Sequence, residues 1–173
     1  MIRILVPQII GFLAVATFLL SYQQKKRKQI ILLNVTSRVL YILQYVLLGA
    51  YAGAVLDILG AFSSVLAGKK HTPFMRKYLR IILPAVTAVM VAAGVTIAIL
   101  NRSYLDLFSL VGVLLHTSAF WMDRERAIRV VSLLGSPFWF VYNLMSRAYG
   151  SALGDILTMG SILIAMFRYR NKA

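Results

Sequence analysis

Two carboxylates, Asp57 and Asp155, sit inside apolar runs at matched places. The stretch Tyr51-Ala52-Gly53-Ala54-Val55-Leu56-Asp57-Ile58-Leu59 lines up with Tyr149-Gly150-Ser151-Ala152-Leu153-Gly154-Asp155-Ile156-Leu157. Every position is shifted by 98 residues, with no gap. An ionisable group within a bilayer helix costs at least about 2.5 kcal/mol, so it usually faces a cavity or a partner. Two such acids brought face to face across a pathway resist ionising together, and the pair can bind a cation or carry a proton. A plainer reading also stands. Each acid lies about five residues into its run, roughly 8 Å from the helix end at about 1.5 Å per residue. Water reaches that depth, and the acid would brace the turn before it.

Other polar and aromatic residues fall in the same runs. Arg38 lies about two turns into the second run, and Ser136 occupies the matching place in the other copy. It either snorkels to the headgroups or reaches a carboxylate or an anionic group of a substrate. Trp139, Tyr41, Tyr45 and Tyr142 form an aromatic group, and Tyr41 and Trp139 each precede an acid by sixteen residues. Aromatics of membrane proteins favour the interfacial belts, but this shared spacing favours a pocket. Asn34, Gln44 and Asn143 suit pathway lining and interhelical bonding equally. His116 fits a helix–helix hydrogen bond better than a titrating relay, and His71 lies in a basic loop. Two distant histidines, no cysteine and no acid cluster give no metal site, and nothing implies a cofactor. No nucleophile–base pair, phosphate loop or metal motif is present, and the loops are short, so an enzyme is not expected.

These residues need apolar elements to position them, and the composition supplies them. The chain has 173 residues, 60% of them hydrophobic, with a mean hydropathy of +0.79. Only 14% are charged, about half the share of a soluble domain. The net charge of +14 would suggest nucleic acid in a soluble protein. Here the basic residues cluster between apolar runs, which is the positive-inside pattern, and no nucleic-acid partner is expected. The first run follows a single Arg3, lacks a small-residue cleavage signature and precedes a basic block. It is read as a retained helix and not as a signal peptide.

Seven apolar stretches, 4–22, 30–50, 52–68, 79–100, 104–122, 127–146 and 150–167, predict seven transmembrane helices. The third is short, which tilt or local thinning accommodates. The fourth is the clearest, with Arg80 only at its edge, and the sixth is the weakest, because Arg129 lies inside its start. The loops around 23–28, 69–80 and 123–129, together with Arg168, Arg170 and Lys172, carry 15 of the 19 Lys and Arg residues. The other side carries Arg3, Arg102 and Arg147, and Arg38 lies within a span. The positive-inside rule then puts the N-terminus outside and the C-terminus in the cytoplasm. The basic loops would also meet anionic lipid.

The matched stretches open the third and seventh spans, and Gly11 and Gly112 open similar runs in the first and fifth. Spans one to three then correspond to spans five to seven. The odd fourth span restores orientation, so the two triplets form a parallel repeat about an axis along the membrane normal. The predicted architecture is all-α integral membrane, three plus one plus three. Residues 1–70 form the first triplet, 71–101 the linker helix and 102–173 the second triplet.

This arrangement, with its N-terminus outside, resembles the SWEET sugar facilitators of the PQ-loop superfamily, and one triplet is similar to the bacterial SemiSWEETs. Trp139-Phe140-Val141-Tyr142, with Asp155 sixteen residues after the Trp, looks like the SemiSWEET pattern Trp-Phe-Val-Tyr-Gly followed at that distance by Asn. In that family the Trp and the Asn line the sugar pocket. The resemblance implies pocket roles for Trp139 and Asp155, and for Tyr41 and Asp57 in the first half. The family's Pro-Gln hinge pair is absent near Leu20-Ser21 and near Met122-Asp123, and the pocket Asn is Asp in both halves. Ser21-Tyr22-Gln23-Gln24-Lys25-Lys26 and the run from Asn34 to Gly49 make the whole chain most similar to the bacterial YgjV-type inner-membrane family, a branch of this superfamily.

The expected protein is a multi-pass inner-membrane transporter or facilitator of small molecules. Its central substrate site would draw on Asp57, Asp155, Trp139, Tyr41, Tyr142, Asn143 and Arg38. The alternative is a non-transporting receptor, assembly factor or scaffold on the same fold. The expected partners are membrane lipid and an unidentified small molecule, with a homo-oligomer left open.

Overall fold

The structure is a computed structural model that describes residues 2–168. Arg170 and Lys172, counted above with the C-terminal basic cluster, lie outside the described residues, as does the side chain of Arg3. Seven helices follow one another: α1 (Ile2–Tyr22), α2 (Arg27–Leu48), α3 (Tyr51–Gly68), α4 (Pro73–Asn101), α5 (Leu105–Phe120), α6 (Glu125–Met145) and α7 (Tyr149–Arg168).

Six of the seven are long and apolar enough to cross a membrane. The exception is α5, which was expected to span 104–122 but stops at Phe120 after 16 residues. That is short of the roughly 20 that a spanning helix needs. Trp121 and Met122 instead close its last turn and lead into Asp123. The fourth helix begins earlier than hydropathy indicates. Thr72 caps it, its Oγ1 accepting from the Met75 amide at 3.5 Å, and Pro73 takes the first position, where its missing N–H costs nothing. Arg76, Lys77 and Arg80 therefore lie on the first turns of α4 and not in a loop.

Packing closes six helices into a ring. Neighbours in the chain pair as α1 with α2, α2 with α3, α5 with α6 and α6 with α7. Two further seams, α1 against α7 and α3 against α5, complete the circuit, and α4 lies outside it against α3 and α5. Accordingly, only 17% of the most apolar stretch of α4 is buried, against 39% to 50% in the other five spanning helices. The polarity is inverted relative to a water-soluble bundle. Leu32, Ile81, Ile99 and Phe167 are exposed, while Asn34, Arg38, Gln44, Asp57 and Asp155 are buried. Lipid is the solvent in which that distribution is favourable.

Two tight turns are built alike. After α2 the chain passes through Gly49 at φ 73°, and the Ala50 amide donates to the Tyr45 carbonyl at 2.9 Å. After α6 it passes through Arg147 at φ 60°, and the Ala148 amide donates to the Asn143 carbonyl at 2.9 Å. Both are left-handed helix stops, and only the first has the residue that adopts this conformation without strain.

At the basic end, polar groups tie the ring together. The Arg27 guanidinium on α2 donates to the carbonyls of Phe120 (2.6 Å), Met122 (3.0 Å) and Ala67 (2.9 Å). Lys70 donates to the Trp121 carbonyl and pairs with Asp123 at 2.7 Å. That hydrogen bond holds the Asp123 carboxyl below the usual carboxylate range. Exposed Arg147 offers a test of the turn geometry. Replacing Arg147 with Gly relieves the left-handed strain and should stabilise the fold by about 1 kcal/mol, whereas Gly49→Ala should cost a similar amount. Thermal midpoints of the detergent-purified variants will move in opposite directions if the turns are as described.

Candidate functional site

The site forms where the inner faces of the ring helices converge. Arg38, on α2, reaches α3 at Gly60, where an added Cβ would collide with its guanidinium. There Arg38 Nη1 meets Asp57 Oδ1 at 2.5 Å, and each residue is only 3% exposed. Asn34, one turn before Arg38, accepts from its Nε at 3.1 Å and fixes the side chain's direction. The snorkelling reading of Arg38 is thus overturned. The carboxylate of Asp57, 2.5 Å away, holds a charge that would otherwise seek the headgroups.

The second acid is held differently. Asp155, on α7, accepts from Asn143 Nδ2 at 2.8 Å. The Asn143 carbonyl in turn accepts from the Tyr45 hydroxyl at 2.7 Å, a bond that crosses the ring from α2 to α6. Tyr41, Tyr45 and Trp139 stand nearly parallel, with Tyr41–Tyr45 and Tyr45–Trp139 centroids 6.2 and 6.1 Å apart and ring planes 21° and 15° from parallel. Trp139 backs onto Gly112 of α5, where a Cβ would come within 2.7 Å of Cδ1. His116 donates Nε2–H to the Ser132 carbonyl at 2.9 Å, the helix–helix bond expected of it.

These side chains enclose one small cavity, lined by Phe18, Arg38, Tyr41, Tyr45, Asp57, His116, Trp139, Asn143 and Asp155. About 20 Å³ of it is open to the centre of a water-sized sphere, room for a water or two. Six of the seven expected site residues line it: Asp57, Asp155, Trp139, Tyr41, Asn143 and Arg38. Tyr142 does not. Its hydroxyl accepts from the Gly53 amide at 2.9 Å, and its ring packs edge-on against Tyr45 and Trp139 from behind.

Eight of the nine lining residues fall into four pairs separated by 98: Phe18 with His116, Tyr41 with Trp139, Tyr45 with Asn143, and Asp57 with Asp155. Carried back into α1 and α5, the same shift sets Gly11 against Ser109 and not against Gly112. Phe18, Tyr45 and His116 are lining residues that the seven expected positions omit. The shift applied to Asn143 would have found Tyr45, whereas Phe18 and His116 pair only with each other and share no residue type. Among the described residues no group of three or more His, Cys, Asp or Glu comes together to hold a metal.

A family model described as bacterial inner membrane protein, Imp-YgjV, matches residues 5–173. The chain belongs to this family. No curated protein and no solved structure is similar to it at a significant level. Family membership and six spanning helices make it a multi-pass protein of the bacterial inner membrane.

In this YgjV-family protein the centre holds a desolvated ion pair, a second carboxylate and an aromatic wall within one enclosure. Such a centre has the chemistry to bind and orient a polar group. Removing one partner of a buried ion pair leaves an uncompensated charge and costs about 3–5 kcal/mol, whereas removing both is far milder. Arg38→Met alone should therefore destabilise strongly. Arg38→Met with Asp57→Asn should recover most of that loss, as read from thermal midpoints in detergent.

Proposed function

We propose that this protein is a small-molecule transporter or facilitator in which two parallel three-helix repeats, α1–α3 and α5–α7, share one central site and α4 links them. The observation that carries this reading is the single cavity lined by four residue pairs at one constant shift. A pseudo-twofold axis through the cavity is the simplest source of such pairing, and binding at a repeat interface is characteristic of transporter folds built this way.

Contacts away from the cavity follow the same shift and support the same axis. At the basic end Gln23 Nε2 donates to Ser161 Oγ at 2.7 Å, and Trp121 Nε1 donates to Ser63 Oγ at 3.0 Å. At the opposite end Ser151 Oγ donates to Gln44 Oε1 at 2.6 Å, and the Gly53 amide donates to the Tyr142 hydroxyl at 2.9 Å. In both sets one bond becomes the other when 98 is added to its residue in the first half and subtracted from its residue in the second. Each end is therefore closed by two equivalent clasps between the triplets. Breaking one set while keeping the other would open the site to one side at a time. The basic end is the cytoplasmic one on the positive-inside rule, which leaves the start of α1 outside. The likeness to SWEET-type facilitators agrees with this arrangement, although no Pro-Gln pair stands near Leu20-Ser21 or Met122-Asp123, and Pro7-Gln8 lies near the other end of α1.

The small volume of the cavity favours the other reading, a receptor, assembly factor or scaffold on the same fold. Because the chain has no cysteine, one experiment separates the two. Phe18→Cys places a single thiol in the cavity wall, to be challenged with a membrane-impermeant thiol reagent in right-side-out and inside-out vesicles. A transporter will be labelled from both sides. A solid scaffold will be labelled from neither, and that result would end the transport reading.

A further inference from the structure

The two halves of the cavity match in shape and differ in charge. At the acid positions the pair is identical, Asp57 and Asp155. Arg38 corresponds to Ser136, which does not line the cavity and whose Oγ donates to the Ser132 carbonyl at 3.1 Å and lies 3.5 Å from His116 Nε2. Arg38 therefore neutralises one acid and has no twin for the other. Asp155 Oδ2 takes one hydrogen bond from Asn143, and Oδ1 has no hydrogen-bond partner among the described residues. One guanidinium stands against two carboxylates in the same enclosure. His116, the other basic side chain on the wall, is committed through Nε2 to the Ser132 carbonyl.

The remaining lining is aromatic: Tyr41, Tyr45, Trp139 and Phe18. Aromatic rings carry negative π faces that attract cations, and Trp and Tyr do so most strongly. A desolvated carboxylate with a free oxygen beside such rings is the recognition chemistry of an alkylammonium head. It disfavours an anion by charge, and it gives a neutral sugar no compensation for leaving the second acid unpaired.

The geometry points to a central site for a small organic ammonium ion, whose positive head pairs with Asp155 among Tyr41, Tyr45 and Trp139 while the Arg38–Asp57 pair stays intact. This assignment rests on the central-site reading above and adds the substrate class. Arg38 is a positioning residue in it. By consuming one of the twin acids it sets the capacity of the site at a single positive charge. The closed cavity, open to little more than a water-sized sphere, fits the head group and not a long chain, so methylammonium is the appropriate first probe.

The test is the thermal midpoint of the detergent-purified full chain, titrated with methylammonium chloride against sodium chloride at equal ionic strength, sodium acetate and glucose. A ligand that binds the native state raises the midpoint saturably. The expected result is a saturable rise with methylammonium alone. Asp155→Asn should lower the apparent affinity at least tenfold while still melting cooperatively, and Asp155→Glu should retain the response. A rise equal to that in sodium chloride, an unaltered response in Asp155→Asn, or a saturable rise with glucose or acetate instead would overturn the assignment. Thiol labelling from both sides without an ammonium response would leave transport standing and remove the cation. An ammonium response without labelling would do the reverse.

Discussion

A membrane interior cannot leave a charge alone, and the Arg38–Asp57 pair is where this chain meets that constraint most directly. Both groups are within helices that face lipid elsewhere, and both are nearly inaccessible. Their attraction is strong because the surroundings are apolar, and the penalty for stranding either is high for the same reason. The local structure is arranged around the pair. Gly60 leaves room for the guanidinium, Asn34 takes its Nε, and the ring of helices keeps lipid away from both.

Outside that pair the geometry is held constant while the chemistry varies. Gln23 and Trp121 are unlike side chains, yet each donates an N–H to a serine, Ser161 on α7 and Ser63 on α3 respectively. Gln44 and Tyr142 likewise do one job, Gln44 accepting from the Ser151 hydroxyl at the start of α7 and Tyr142 from the Gly53 amide at the start of α3. What matters at such positions is a donor or acceptor at the right height, because an unsatisfied polar group in the bilayer costs several kcal/mol. The identity of the atom that supplies it matters less.

That freedom explains what could and could not be read in advance. Helix number and approximate bounds were legible because hydropathy reports directly on burial in lipid. The acids were legible because residue type repeats over a gap-free stretch, Trp139 and Tyr41 because each precedes an acid by sixteen residues, and Asn143 and Arg38 because a polar residue stands out in an apolar run. Phe18 and His116 were hidden, since a phenyl and an imidazole share no signature beyond ring shape. The start of α4 was hidden too, because basic residues lower hydropathy without breaking a helix that Thr72 and Pro73 begin. Tyr142 was misassigned for a subtler reason. It is next to Asn143 in sequence, but one residue is about 100° of helix rotation, and that turns its hydroxyl to Gly53 and away from the cavity.

In the proposed two-repeat arrangement, charge is where the symmetry is broken, and the break has a direction. A fully symmetric centre would set two identical acids close together with nothing to offset them, an arrangement that resists ionisation and invites water or protons. Placing one arginine at Arg38 and a serine at Ser136 turns two equal half-sites into one satisfied pair and one open acceptor. Keeping a cation on one side only is costly in a bilayer, and in the proposed site that cost is offset by the use of the remaining charge. On the proposed reading, the Arg38–Asp57 pair also decides which carboxylate is left to act.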